Sequence, residues 1–145
     1  MKQLFRIAAV VVFAAFVFTS TSHAQVPYSE GHVERVVLLE LVPGHSNAFW
    51  ADVKTNVLPI WEAEKKSGLI LDYQIFLNTT TEGKWDVGYS IVYANMAALD
   101  GLADKIFDLR MNQYGDQTAE QKVIDKRVEN AHVVSSMLLR DIKVR

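Results

Sequence analysis

From His32 the chain reads HVERVVLLELVPG, almost continuously apolar and β-branched from Val33 to Val42 until Pro43-Gly44 stops it. Such a run is a strand covered on both faces. At Ser46 the period changes: Phe49, Val53, Val57, Ile60 and Trp61 recur at helical spacing, with Asp52, Lys54, Glu62, Glu64, Lys65 and Lys66 elsewhere around the helix. Ser46 or Asn47 is the expected N-cap and Gly68 the expected stop. The result is an amphipathic helix of about five turns, with a kink expected at Pro59, whose missing N–H and ring disfavour a helix interior.

Beyond Gly68, LILDYQIFLN (69–78) and WDVGYSIVYAN (85–95) read as strands joined by TTTEGK, a β-hairpin in which Gly83 supplies a positive φ. Asn95 then caps a second helix, MAALDGLADKIFDLRMN, with Met96, Leu99, Leu102, Ile106 and Leu109 at helical spacing until Gly115-Asp116 breaks it. Thr118-x-x-Gln121 has the form of a capping box opening a third, more charged helix to about Asn130. HVVSSMLLRDIKV (132–144) closes the chain as a last strand. The order is β-α-β-β-α-α-β, which predicts an α+β fold of the ferredoxin-like split-βαβ type with a four-stranded antiparallel sheet.

These elements, VVLLELVPG, a long helix with aromatics, a hairpin, a second helix and a closing strand, together resemble the dimeric α+β-barrel superfamily (ferredoxin-like, antibiotic-biosynthesis-monooxygenase-like) over residues 32–145. The resemblance implies a homodimer in which two sheets face each other and close a barrel. It extends to small monooxygenases, haem-degrading oxygenases, lyase-type enzymes and proteins with no known activity. The polar, aromatic and histidine constellation of the haem-degrading members is not matched here, so no cofactor is expected.

The amino terminus has its own logic. Lys2 and Arg6 precede an apolar run from Ile7 to Phe18, followed by a Ser/Thr stretch ending in Ser22-His23-Ala24. This is the pattern of a secretory signal peptide over residues 1–24, and its apolar run is well short of the ~20 residues that span a bilayer. The chain is therefore expected to be exported, periplasmic or secreted, with a short polar lead at 25–31 and no membrane attachment after cleavage. The remaining 121 residues carry 13 basic and 17 acidic side chains, and that mildly acidic balance without a basic patch argues against nucleic acid as a partner. With no cysteine, disulfides, thiolate metal sites and Cys nucleophiles are excluded.

Period-2 spacing divides the strands into faces. Val37, Leu39 and Leu41, with Tyr73, Ile75, Leu77, Val87, Tyr89, Ile91 and Tyr93, form apolar faces expected under the helices. Glu34, Val36, Leu38 and Glu40, with Ile70, Asp72, Gln74, Phe76, Gly88, Ser90 and Val92, form a mixed face suited to a partner sheet. In that register Asp72 is expected opposite Ser90 and Gln74 opposite Gly88. Carboxylates buried in such a lumen would be raised in pKa and prepared for acid/base work.

The candidate catalytic residues are accordingly Asp72, Glu40 and His45, and the candidate ligand contacts are Gln74, Ser90, Tyr73, Tyr89, Trp50 and His132. His45 and His132 are expected at one end of the sheet and His32 at the other, with no local third ligand, so no metal site is expected. Trp50 and Trp61, eleven residues apart, read more readily as core than as a cofactor wall. Two functions stay open beside a purely structural role. One is binding of a small apolar or aromatic molecule; the other is a cofactor-independent monooxygenase or lyase-like enzyme, with Tyr73, Tyr89 or Tyr93 positioning an aromatic substrate.

Overall fold

A computed structural model describes residues 26–80 and 82–145. The expected signal peptide lies outside the described residues. Four strands, β1 (Tyr28–Leu41), β2 (Asp72–Leu77), β3 (Val87–Tyr93) and β4 (Ala131–Val144), form one sheet in the order β2-β3-β1-β4, with every neighbour antiparallel. The helices are α1 (46–66), α2 (Leu102–Tyr114) and α3 (Gln117–Asn130). This is the ferredoxin-like α+β arrangement that the element order predicts.

The strand faces fall as their periodicity requires. Val33, Arg35, Val37 and Leu39 of β1 lie opposite Tyr93, Ile91, Tyr89 and Val87 of β3, forming the row beneath α1. Val33 and Val87 are fully buried there. The sequence had assigned the first strand to begin near Val33; instead it begins at Tyr28, because the lead residues pair with the end of β4 (Tyr28 with Val144, Glu30 with Ile142). One extra residue at Gly31/His32 bulges β1, and Val134 bulges β4.

The hairpin departs from expectation in register. Asp72 faces Val92, Gln74 faces Ser90 and Phe76 faces Gly88, two residues from the expected pairing, so every side chain keeps its face. The cause is the loop, where Asn78 Nδ2 donates to the carbonyls of Glu82 and Trp85 at 2.9 Å and its backbone N–H bonds Asp86 O. Since β2 starts only at Asp72, alternation does not reach back to Ile70, which enters the core at 2% exposure instead of the mixed face. Gly88 marks neither a bulge nor a ligand approach: it lies directly under the Phe76 ring, whose carbons come within 2.1 Å of where a Cβ would stand.

The helices show three further differences. Pro59 does not simply kink α1. Regular turns Ser46–Asp52 and Leu58–Lys66 flank a π-helical turn, Val53–Val57, which relieves the clash of the proline ring with the preceding carbonyls. The second helix is divided, because Gly101 (φ 63) separates a 3-10 turn, Met96–Leu99, from α2; Asn95 caps only the short turn, accepting from Ala98 N. Asp116, not Thr118, caps α3 by accepting from Ala119 N at 2.8 Å.

Replacing Gly88 with Ala is expected to cost about 1–3 kcal/mol, as overpacking does, and close to nothing in a Phe76→Ala background. Equal costs in both backgrounds, measured by urea unfolding, would show that the Phe76 contact does not set the requirement.

Candidate functional site

The helix-facing side of the sheet is not packed shut. Between β1, β3 and the three helices lies a cleft of about 220 Å³. Arg35, Tyr89, Ile91 and Tyr93 form its floor, Val57, Trp61 and Glu64 of α1 one wall, and Ile106, Arg110 and Arg127 the other. A shallower mouth beside Leu99, Leu102 and Ala103 shares Arg35, Tyr93, Ile106 and Arg110.

Local structure holds this space open. In the π-turn the Asn56 carbonyl accepts from Gln113 Nε2 (3.0 Å) and Tyr114 OH (3.1 Å) of α2. One turn earlier Asp52 takes Asn56 Nδ2 at 2.8 Å and Arg127 Nε of α3 at 2.6 Å. Thus α2 and α3 are fastened to the side of α1, not laid flat on the sheet. Trp61, 9% exposed, tilts its ring 5.0 Å from Tyr89 and 5.2 Å from Tyr73 and gives the cleft an aromatic base.

The charges are unevenly matched. Arg127 is committed to Asp52, and Arg110 reaches Glu120 at 3.3 Å. Glu64 is only 3% exposed, and burial raises its pKa above the ordinary value against the opposing pull of Arg110. Burial likewise raises the Tyr89 and Tyr93 phenols, while Arg35, Arg127 and Arg110 draw Tyr89 down and Arg35 draws Tyr93 down. Three guanidinium groups therefore act on one phenol at the cleft floor.

The residues expected from sequence to form a site are divided between the two sides of the sheet. Tyr89 lies in the cleft. Tyr73 is on the same side, but its hydroxyl hydrogen-bonds the Glu62 carboxylate, which pushes its pKa up to about 12. Trp50 packs edge-on against Phe49, 5.1 Å away, in a separate part of the core. Gln74 and Ser90 face each other on the open side of the sheet, and Glu40 and His132 face each other toward one end of it. Asp72 is exposed and paired with Lys65 at 2.7 Å; that hydrogen bond lowers its pKa, opposite to what burial in a lumen would do. His45 Nδ1 is 3.0 Å from Asn130 Oδ1, two residues before His132. Among the described residues no three His, Asp or Glu side chains are grouped to hold a metal, and no helix is long and apolar enough to cross a membrane.

The cleft residues that sequence reasoning passed over are Arg35, Arg110, Arg127 and Glu64. Two of them left a signal. Arg35 occupies an odd position in a row otherwise made of Val33, Val37, Leu39 and Leu41, and Glu64 stands three, four and seven residues after Trp61, Ile60 and Val57, on the buried stripe. Arg110 and Arg127 come from separate helices and gave none.

No family model matches the chain, and no curated protein matches it. Among solved structures, HapK from Hahella chejuensis superposes with a TM-score of 0.50 at 11% identity, over 75% of this chain and 91% of HapK. A dimeric ferredoxin-like protein from an uncultured marine organism gives 0.49 at 15% identity, over 81% of this chain and 98% of its own. A dabb-family protein with a ferredoxin-like fold from Mesorhizobium loti gives 0.46 at 15% identity, over 79% and 99%. The HapK superposition shows a shared fold.

Because the folded-state pKa of Glu64 is raised, its contribution to stability is present below the ordinary value of 4.5 and is lost as pH rises through the folded value. Glu64→Gln is therefore expected to melt higher than the parent at pH 7 and to lose that component of the acid-to-neutral decline. A lower melting temperature for Glu64→Gln at pH 7 would mean that attraction to Arg110 outweighs the desolvation.

Proposed function

We propose that this chain is an exported, homodimeric α+β protein that binds a small, largely apolar or aromatic molecule in the cleft between its sheet and helices. The observation that carries the reading is the cleft itself, with Trp61, Tyr89, Tyr93 and Ile91 as an apolar lining and a few convergent polar groups, the make-up of a ligand site. Its volume of about 220 Å³ is below the ~300–1,000 Å³ of pockets for drug-sized molecules, so the ligand is a body of one or two rings.

Homodimerisation is supported by the other side of the sheet. There Val36, Leu38, Phe76, Val92, Met137 and Leu139 lie on one face, opposite the face beneath the described helices. Met137 and Leu139 are 40% and 47% exposed. Exposed apolar side chains grouped among polar ones on such a face suit an interaction surface, and in a self-complementary pair each sheet would cover the other. Export rests on the amino-terminal pattern of charge, apolar run and small residues.

Titration calorimetry with 2-naphthamide is the test. One site per chain is expected, with affinity falling at least about tenfold when Ile106→Trp fills the cleft mouth; unchanged affinity in that variant would exclude the cleft. For the second half, light scattering at micromolar concentration should give a dimer that Leu139→Asp converts to monomer by burying an unpaired charge. A parent protein that is already monomeric contradicts the sheet-face interface.

A further inference from the structure

Arg35 stands where an apolar residue is expected. Its neighbours along the helix-facing row of β1 are the buried Val33 and Val37, and across the ladders it faces Ile91 and Leu138. Among the described residues it has no carboxylate within ion-pairing distance, whereas the other two arginines of the cleft each have one, Asp52 for Arg127 and Glu120 for Arg110. A guanidinium kept on the solvent side of an apolar row can simply extend its stem over the surface and leave its head in water. Three features of this site go beyond that role.

Arg35 borders both the cleft and its mouth, so a molecule entering the cleft passes its head group. Its charge adds to those of Arg110 and Arg127 at the Tyr89 phenol, so the cationic field converges inside the cleft. Of the two acids in the lining, Asp52 is taken up by Arg127, and Glu64 is buried, which raises its pKa against the pull of Arg110. The cleft thus combines an aromatic and aliphatic lining with one guanidinium, that of Arg35, that has no ion-pair partner among the described residues.

We infer that the ligand carries a single anionic group, a carboxylate or chemically similar oxyanion, on its one- or two-ring apolar body, and that Arg35 is the specificity-determining residue that selects it. The planar guanidinium matches such a group with two parallel N–H donors, which lysine does not reproduce. Partial enclosure by the mouth reduces solvent screening relative to an open surface pair. The inference rests on the cleft being the ligand site.

The experiment uses a matched pair, 2-naphthoate and 2-naphthamide, which share one ring system and differ in charge, titrated into the purified protein at fixed ionic strength. The parent is expected to prefer the carboxylate by about tenfold or more. In Arg35→Met that preference collapses to within about twofold, and Arg35→Lys keeps part of it. Equal binding of both compounds by the parent, or an undiminished preference in Arg35→Met, overturns the assignment and leaves the cleft standing. Binding of neither compound overturns the cleft reading and the assignment together. Arg35 is exposed, so Arg35→Met is expected to fold, and an unchanged melting temperature verifies it.

Discussion

A proline in the middle of a long helix sets the arrangement around it. Pro59 has no N–H to donate and its ring cannot sit against a regular preceding turn, and α1 answers with a π-helical turn at Val53–Val57. Within that turn the Asn56 carbonyl accepts from Gln113 and Tyr114 of α2. The adjacent Asp52 holds Arg127 of α3. The cleft exists because α2 and α3 are tied to the flank of α1 by polar contacts, while Trp61 and Ile60 seat α1 itself on the sheet.

Much of the fold was legible because its signals are local and periodic. Alternation in β1 and β3 assigned Val37, Leu39, Tyr89 and Ile91 to one face, and the change of period at Ser46 located α1. The failures have physical causes that lie outside any short window. The hairpin register depends on Asn78 bridging its own loop, and Ile70 is buried because the strand starts three residues later than its apolar run. The division at Gly101 was hidden because Leu99, Leu102 and Ile106 keep helical spacing across the break.

The site was less legible than the fold. Sequence reasoning looked for polar groups on the mixed face and so gathered Asp72, Gln74, Ser90 and Glu40, which the structure does place on the open side of the sheet. The cleft lies on the opposite side and draws Arg35 from β1, Glu64 from α1, Arg110 from α2 and Arg127 from α3. No spacing rule joins residues so far apart in the chain. The two readable clues are charges on apolar rows, Arg35 in a strand and Glu64 in a helix.

The sheet thus has two distinct sides, a partly polar cleft under the helices and a mixed face opposite the described helices. In the proposed reading the ligand belongs to the first and a second copy to the other. Intermolecular nuclear Overhauser effects from bound 2-naphthamide to methyl-labelled protein test this most directly. Contacts to the methyl groups of Val57, Ile91 and Ile106 are predicted; contacts instead to those of Val36, Leu38, Met137 and Leu139 would place the ligand between two sheets and contradict it.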